Sequence, residues 1–261
     1  AQVGSDTDPY QLYPTVAFGD GWNAATKLSN LNIPNQLPND QLKPQMNKSW
    51  EIGAELKFLL NRISLDVTYY NSTTQDQIIA IPVSASTGYT SKVINAGNID
   101  NDGIEITFGA VPFQNDNGFN WDIFVNWSKN WNEVVELAEG VEQLELGTYW
   151  DMKLMAIPGQ PYGSLYGADF LRDPDGNIIH RGGVPVKGDL KILGNYQPDW
   201  IMGATNQFEF KGFDLSILVD WHKGGDIYNM TNAWGRYAGA LDESLIGREG
   251  GIVGTGVKEV Y

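Results

Sequence analysis

The chain has 261 residues, and 17 Lys and Arg against 32 Asp and Glu give it a formal net charge of -15. A hydrophobic fraction of 42% and an aromatic fraction of 12% exclude a disordered chain, and the acidic balance without a basic cluster excludes nucleic acid as an expected partner. The lack of Cys excludes disulfides, thiolate metal ligands and a Cys nucleophile.

Alternation of apolar and polar residues predicts a first pair of strands over residues 50–60 and 63–70. In the first strand the apolar set is Trp50, Ile52, Ala54, Leu56, Phe58 and Leu60, and the polar set opposite is Glu51, Gly53, Glu55 and Lys57. The second strand alternates in the same way. Residues 61 and 62 between the two strands predict a tight hairpin.

Four more strands are predicted further along the chain, which makes six in all. They cover residues 104–110, 119–129, 200–210 and 213–221, with short turns at 112–118 and 211–212. The other connections are long, polar and Gly-rich: 5–45, 72–92, 132–198 and the stretch beyond 223, with the acidic tract 133–147 interpreted as solvated loop. Short turns at one end of the strands and long loops at the other are typical of an outer-membrane β-barrel.

Alternation by itself leaves two architectures open, because a soluble β-sandwich also has one apolar and one polar face. Strands of 11 residues, such as 50–60, favour the barrel, since a tilted strand needs roughly 9 to 11 residues to cross a bilayer. The aromatic residues of the apolar faces favour it as well, because they concentrate at both strand ends like two interfacial girdles. They are Trp50, Tyr69, Trp127, Trp200 and Trp221 near the long loops, and Phe119, Phe208, Phe210 and Phe213 near the short turns.

The opposite faces carry charged residues such as Glu55, Asp66 and Asp122, which a water-filled lumen accepts and a bilayer does not. The expected fold class is therefore all-β, an antiparallel transmembrane β-barrel segment with about six spanning strands and long extracellular loops. No run of 18 apolar residues is present, which excludes a membrane-spanning helix. Six strands cannot close a barrel, so we expect these strands to be part of a larger one. The N-terminal residues lack the pattern of a leader peptide, so we expect a mature protein or an internal piece.

Several segments together resemble the C-terminal barrel region of the SusC/RagA-type TonB-dependent outer-membrane transporters. They are AQVGSDTDPYQL (1–12), LKPQMNKSWEIGAEL (42–56), RISLDVTYYNSTTQDQI (62–78), INAGNIDNDGIEI (94–106), LGNYQPDWIMGATNQFEFKGFDLSILVDWHKGGDIYN (193–229) and REGGIVG (248–254). One departure is Gln45, where the family usually has Glu, and it is expected to alter a local loop contact.

The resemblance implies that residues 1–261 are part of a single β-barrel domain of roughly 22 strands. It also implies import of oligosaccharides, or in some members peptides, beneath a SusD-like surface lipoprotein. The energy would come through TonB acting on a plug domain, which this sequence does not contain. No enzymatic activity and no cofactor are expected, and outer-membrane lipid is expected to surround the apolar faces.

The long loops contain aromatic and acidic residues that are candidates for contact with the substrate. An aromatic face offers apolar contact to a sugar ring, while a carboxylate accepts hydrogen bonds from its hydroxyls. The candidates in loops and lumen are Tyr149, Trp150, Tyr162, Tyr166, Asp169, Tyr228, Trp234 and Tyr237. The alternative for the aromatic residues is that they pack the long loops against each other.

The segment DPDGN offers a weak metal candidate, because Asp173, Asp175 and Asn177 have the oxygen spacing of a Ca²⁺ loop. The Gly and the bidentate Glu that complete an EF-hand loop are missing, so a simple hairpin turn is the favoured interpretation and no metal is expected. His180 and His222 are the only histidines, and no nucleophile pattern accompanies them.

Two other functions stay open at the level of sequence. A soluble β-rich carbohydrate-binding module or glycosidase would also place aromatic residues along a glycan groove, and a surface adhesin would need no transport role.

Membrane extraction separates the barrel from these alternatives. We expect the protein to remain in the membrane fraction after salt and carbonate washes and to be released only by detergent, because its apolar strand faces would contact lipid. The measurement is immunodetection across the fractions. A monomer in the aqueous phase without detergent would contradict the barrel.

Overall fold

The computed structural model describes residues 1–8, 11–23, 28–116, 118–251 and 254–258 and is all-β. Its strands within these ranges are β1 (Gln2–Ser5), β2 (Ala17–Asn23), β3 (Leu28–Asn32), β4 (Gln36–Leu37), β5 (Gln45–Phe58), β6 (Ile63–Gln75), β7 (Ile78–Pro82), β8 (Ser91–Asn95), β9 (Gly97–Phe113), β10 (Phe119–Leu137), β11 (Leu144–Tyr149), β12 (Met152–Ala156), β13 (Ser164–Phe170), β14 (Ile179–Arg181), β15 (Val184–Pro185), β16 (Lys187–Asn195), β17 (Pro198–Phe210), β18 (Phe213–Gly224) and β19 (Val257–Lys258).

Helical structure is limited to short segments. The α-helix α1 covers Met230–Ala238, and two short 3-10 helices cover Ala85–Thr87 and Asp242–Leu245. Among the described residues, none of the helices has the length and apolar character needed to cross a membrane.

All six predicted strands are confirmed, and they lie side by side in one sheet. The sheet has seven strands in the order β1-β5-β6-β9-β10-β17-β18. The six long members have 12 to 19 residues, more than the alternation predicted, because β9 and β10 continue past the apolar stretch towards the long connections. In the predicted 112–118 turn, β9 ends at Phe113 and β10 begins at Phe119, and position 117 lies outside the described residues.

The first short turn differs from the prediction, which extended the strand to Leu60 on the apolar face. Strand β5 ends at Phe58, and Leu59, Leu60 and Asn61 have φ values of 51°, 55° and 67°. The turn therefore has four residues, and Leu60 is 99% exposed. Next to it, the guanidinium of Arg62 donates hydrogen bonds to backbone carbonyls of β9, which ties this end of β6 to its neighbour.

The strand register produces one continuous apolar face. Leu56 pairs with Leu65, Leu65 with Phe108, Phe108 with Val125, and Val125 with Ala204, so that one apolar row crosses five strands. Because side chains alternate along each strand, every second row lies on the same face.

The neighbouring row shows the composition of the opposite face. Glu55 pairs with Asp66, Asp66 with Thr107, Thr107 with Asn126, and Asn126 with Gly203. In these two rows the register therefore separates the polar residues from the apolar ones, as the sequence predicts.

The apolar face has no second layer within the described residues. Ile52, Leu215 and Trp221 are 67%, 57% and 53% exposed, whereas a soluble sandwich would bury such residues against another sheet. The buried apolar side chains lie elsewhere: Val93, Ala96, Val134, Leu144, Met152, Met155, Ala156 and Leu165. The exposed face is the one expected to contact lipid.

Aromatic contacts mark both ends of the apolar face, as predicted. At the long-loop end, the ring centroids of Trp50 and Tyr69 are 5.4 Å apart, and those of Trp200 and Trp221 are 5.2 Å apart. The Tyr69 hydroxyl donates a hydrogen bond of 2.9 Å to Asp102 Oδ1, so the first carboxylate on this face lies just beyond the aromatic girdle. This arrangement suits the step from hydrocarbon to headgroups.

At the short-turn end, Phe113, Phe119, Trp121 and Phe208 form the second aromatic group, with ring centroids 5.7 to 6.1 Å apart. Asn206, the one polar residue that interrupts the apolar face of β17, accepts a 3.2 Å hydrogen bond from the Trp121 indole nitrogen. The amide oxygen is thereby satisfied on an apolar surface.

The acidic tract 133–147 is not a solvated loop, so that interpretation is wrong. Strand β10 continues to Leu137, and β11 begins at Leu144. Val134 and Leu144 are both buried, and Val134 exchanges backbone hydrogen bonds with residues 159 and 160. The many Glu residues of this tract suggested a solvated loop, but the tract contains strand residues whose apolar side chains, Val134 and Leu144, are buried.

The chain divides into two compact units. The sheet unit comprises Ala1–Glu145, Ala156–Tyr162 and Asp199–Lys223, and it contains nearly all of the seven-stranded sheet. The loop unit comprises Leu146–Met155, Gly163–Pro198 and Gly224–Tyr261, and it contains most of a four-stranded sheet in the order β11-β12-β13-β16. All four of the predicted long loops hold some regular structure, and the two that contribute most of the loop unit are 132–198 and the stretch beyond 223.

One glycine on the polar face accommodates a large side chain. Gly103 pairs with Tyr70 on β6 and with Asn130 on β10, and a Cβ atom at Gly103 would lie 2.2 Å from Tyr70 Cζ. The Tyr70 ring therefore lies across Gly103, and its hydroxyl donates a 2.9 Å hydrogen bond to Asn130 Oδ1. Three strands are connected at this point.

We expect Gly103→Ala to displace the Tyr70 ring and break its bond to Asn130, which should lower the free energy of unfolding by about 1 to 3 kcal/mol. The measurement is denaturant unfolding of the protein in detergent micelles. Gly203→Ala is the control, because this glycine is on the same face and its Cβ would meet no atom within 4 Å. Equal stabilities of the two variants would contradict the role of Gly103.

Candidate functional site

Seven of the eight predicted contact residues lie in the loop unit. They are Tyr149, Trp150, Tyr166, Asp169, Tyr228, Trp234 and Tyr237, whereas Tyr162 lies in the sheet unit. Five of the seven take part in one of two local features, an aromatic cluster and a cleft.

The aromatic cluster consists of Trp150, Trp234 and Tyr237. The ring centroids of the two tryptophans are 4.9 Å apart at 76°, and those of Trp234 and Tyr237 are 5.5 Å apart at 86°. Both angles are edge-to-face arrangements, which aromatic rings prefer. Tyr237 is 85% exposed, so the cluster presents ring surface to solvent.

Helix α1 positions two members of this cluster. The side chain of Asn229 accepts a 2.9 Å hydrogen bond from the backbone N–H of Asn232 and caps the helix, and Gly239 ends it with φ of 71°. Because Trp234 and Tyr237 are three residues apart, they lie on the same face of the helix. The third member, Trp150, lies between β11 and β12 and has φ of 59°.

A cleft of about 330 Å³ lies within the loop unit and includes two predicted residues, Asp169 and Tyr228. The rest of its lining is Asp151, Met152, Gly167, Ala168, Phe170, Pro185, Lys187 and Leu193. The cleft thus combines aromatic and apolar surface with three charged side chains, a composition typical of small-molecule sites.

Asp169 is held firmly within this cleft. Its Oδ2 atom is 2.8 Å from Lys191 Nζ and 3.7 Å from Arg172 Nε, and its Oδ1 atom accepts a 2.7 Å hydrogen bond from the Phe170 backbone N–H. The bond from Lys191 and the bond from the Phe170 backbone keep the pKa of the Asp169 carboxyl below its ordinary value. The group is an anionic acceptor in a fixed position.

The second ion pair of the cleft is looser. Lys187 Nζ lies 3.6 Å from Asp151 Oδ1, and the two side chains are 66% and 91% exposed. An exposed pair at this distance contributes little to stability. Both groups therefore remain available to a ligand.

Tyr228 reaches the cleft because the chain after β18 is fastened to β16. The backbone N–H of Asp226 donates a hydrogen bond to the carbonyl of Asn195 at 2.7 Å. The Oδ2 atom of Asp226 accepts a hydrogen bond from the Asn195 N–H at 2.9 Å. A side chain at Gly194 would clash with this carboxylate, since a Cβ there would lie 2.0 Å from Asp226 Oδ2. Asp226 of the segment HKGGDIYN thus has a structural role, and Gly194 leaves room for its carboxylate.

A comparison with protein-family models matches residues 7–231 to the family described as TonB dependent receptor-like, beta-barrel. The chain belongs to this family. The match confirms the SusC/RagA-type resemblance and the barrel fold class, and TonB-dependent receptors of this kind lie in the bacterial outer membrane.

Curated relatives give the same assignment. TonB-dependent receptor P3 of Formosa agariphila is 27% identical over 218 residues, which covers 74% of this chain and 22% of the relative. TonB-dependent receptor SusC of Bacteroides thetaiotaomicron is 24% identical over 227 residues, which covers 80% of this chain and 21% of the relative. The chain therefore spans about a fifth of the length of these receptors.

Solved structures support the fold. A structure of the RagAB peptide transporter has a TM-score of 0.66 and 20% identity over 84% of this chain and 25% of its own. The RagAB peptide importer in its open-open state has a TM-score of 0.63 and 18% identity over 85% of this chain and 25% of its own.

The remaining predicted contact residues of this TonB-dependent receptor chain lie apart from the cleft. Tyr149 ends β11 and is exposed, and Tyr166 pairs with Lys153 and Ile192 within the four-stranded sheet. The backbone N–H of Tyr162 donates to Asn132 Oδ1 at 2.9 Å.

The DPDGN segment forms a turn that the carboxylate of Asp173 organises. Asp173 Oδ1 accepts from the N–H groups of Asp175 and Asn177, at 3.0 and 2.8 Å, and its Oδ2 atom accepts from the Asn177 side chain at 3.1 Å. These bonds, chiefly those from Asn177, lower the pKa of Asp173. In the described part of the chain, no group of three or more His, Asp or Glu side chains has an arrangement that could hold a metal ion.

The sequence alone does not identify Asp151, Lys187, Lys191 and Leu193 as residues of the cleft or of its ion pairs. Residues 132–198 were interpreted as loop, so no strand face was assigned there, although KGDLKILGN (187–195) is strand β16. At Gln45, the departure from the family pattern, the side-chain oxygen accepts a 3.4 Å hydrogen bond from the Ile78 N–H.

Asp169 should make stability depend on pH. A carboxyl with a depressed folded pKa stabilises the fold above its unfolded pKa, and this contribution is lost as the pH falls through the folded pKa. We expect Asp169→Asn to unfold more easily than the wild type at pH 7, and the difference to disappear at pH values below 3.8. Denaturant unfolding at several pH values measures this. Asp175→Asn, an exposed carboxylate of the same unit, is the control, and an unchanged Asp169→Asn would contradict the prediction.

Proposed function

We propose that the chain supplies wall, lumen and extracellular segments to a TonB-dependent importer of nutrient oligosaccharides. The observation that carries this proposal is the two-faced sheet, in which an apolar row of five strands adjoins a row containing Glu55, Asp66 and Asn126. Lipid on the first face and water on the second are the surroundings that satisfy both. No chemical bond is broken in such a function, and the family is one of receptors rather than enzymes.

The rest of the barrel follows from the sheet edges. Strand β1 covers only the first four residues of β5, so the outer edges of the rest of β5 and of β18 would leave unpaired N–H and C=O groups in lipid, at a cost of several kcal/mol for each group. In our proposal, further strands of the same protein pair with these edges and close a barrel of roughly 22 strands, and a plug domain fills its lumen. Residues 1–261 are one part of that barrel domain.

Two partners belong to the proposal. A SusD-like lipoprotein covers the extracellular side, and TonB reaches the plug from the periplasm. The similarity to the SusC receptor and to the RagAB fold supports both.

The substrate class rests on the loop unit. Exposed aromatic rings of Trp150, Trp234 and Tyr237, together with Asp169 and Tyr228 in the cleft, supply the apolar faces and fixed acceptor that sugars need. RagAB is named as a peptide transporter, and peptide is therefore the alternative substrate.

Deletion of the gene should abolish growth on one glycan while the oligosaccharide stays outside the cell, because the proposed importer carries that oligosaccharide across the outer membrane. The measurement is growth on a panel of polysaccharides together with uptake of fluorescently labelled oligosaccharides. Restoration by the wild-type gene is the control. Unchanged sugar uptake with impaired peptide uptake would replace the glycan with a peptide.

A further inference from the structure

The cleft of the loop unit has little net charge despite the strongly acidic chain around it. Its two carboxylates, Asp151 and Asp169, are each matched by a lysine, Lys187 at 3.6 Å and Lys191 at 2.8 Å. Arg172 is the remaining nearby cation, and its Nη1 atom donates a 2.9 Å hydrogen bond to the carbonyl of Gly176 in the neighbouring turn. The formal charges around the cleft therefore largely cancel, so the cleft offers a charged ligand little net electrostatic attraction.

The apolar part of the lining is suited to a flat ring. Phe170, Leu193 and Tyr228 are 49%, 47% and 39% exposed, so their surfaces are accessible although they belong to a cleft. The volume of about 330 Å³ is near the lower limit of ordinary small-molecule pockets, about 300 to 1,000 Å³, which suits one or two sugar rings. Aromatic rings with an adjacent carboxylate are the combination that recognises the apolar face and the hydroxyls of a sugar.

The hydrogen-bonding groups of the cleft are complementary. Asp169 is held by two hydrogen-bond donors, Lys191 and the Phe170 N–H, and its side chain is 28% exposed, so it can accept a further bond from a hydroxyl. The ammonium of Lys187, held only loosely by Asp151, can donate to a second hydroxyl. An acceptor and a donor of this kind bind vicinal hydroxyl groups without requiring charge on the ligand.

The aromatic cluster adjoins the cleft along the chain. Trp150 directly precedes the lining residue Asp151, and Tyr228 precedes helix α1, which carries Trp234 and Tyr237. The same short segments of the loop unit therefore supply both the cleft and the exposed aromatic rings.

We propose that this cleft is a subsite for one uncharged saccharide unit of the substrate, with Asp169 as hydroxyl acceptor, Lys187 as hydroxyl donor and Tyr228 as stacking ring. This inference rests on the proposed import function. It excludes uronic acids, sulfated sugars and amino sugars from this position, although they can occur elsewhere in a glycan.

The experiment uses the full-length receptor with its lipoprotein partner, and calorimetric titration with uncharged oligosaccharides from the glycan identified by the uptake assay. We expect Tyr228→Ala and Asp169→Asn each to raise the Kd about tenfold, because each removes one direct contact with the sugar. Tyr196→Ala and Asp175→Asn, an exposed tyrosine and an exposed carboxylate of the same unit that do not line the cleft, are the matched controls and should bind like the wild type.

Lys187→Met tests the charge argument separately. It should weaken binding of the uncharged oligosaccharide only a fewfold, and oxidised oligosaccharides with a carboxylate at C6 should bind more weakly than their uncharged parents to the wild type. Tighter binding of the acidic sugars, or of a peptide, would overturn the proposal. Unchanged affinity in both Tyr228→Ala and Asp169→Asn would also overturn it.

The outcomes separate this inference from the import function. If deletion of the gene leaves all glycan uptake intact, the import function fails. If uptake depends on the gene but the two cleft variants import and bind like the wild type, import stands and the subsite is wrong.

Discussion

The antiparallel register of the seven-stranded sheet is the constraint on which the other features depend. A shift of one residue between β6 and β9 would place Phe108 opposite Asp66 rather than Leu65, and polar residues would enter the apolar rows. Neither lipid nor water would then suit either face. The Tyr70 ring across Gly103 joins β6, β9 and β10, and the Arg62 bonds join β6 to β9, so both oppose such a shift.

The two aromatic groups follow from this register. Tryptophan and tyrosine are useful only where hydrocarbon gives way to headgroups, so they occur where the apolar rows end. On the long-loop side, Asp102 binds the Tyr69 hydroxyl and begins a polar surface on the face that is apolar further down. The strands continue beyond this level as water-exposed structure, which explains why β9 and β10 have 17 and 19 residues.

The loop unit holds the candidate cleft on regular structure. Short strands and one capped helix fix side chains that loops alone would leave mobile. The cleft depends on contacts between distant parts of the sequence. Asp226 is hydrogen-bonded to Asn195, and Tyr228 lines the same cleft as Asp169, which lies far earlier in the chain. Specificity can therefore change through a few residues without altering the barrel.

The sequence by itself determined the six long strands, their two faces and the family, because period-two alternation and interfacial aromatic residues are local signals that survive without coordinates. It also indicated Asp169 and Tyr228 through their chemistry. Only the tertiary structure decided that these two residues share a cleft and that Lys187 and Lys191 balance its charge. It also decided that the tract 133–147 contains the end of β10 and the start of β11. The reason is that pairings such as β13 with β16 depend on non-local hydrogen bonds, and short mixed-polarity strands such as KGDLKILGN carry too weak a periodicity to reveal them. Leu60 is a further example, because its apolar side chain fits the pattern of the preceding strand whereas its backbone lies in a left-handed turn.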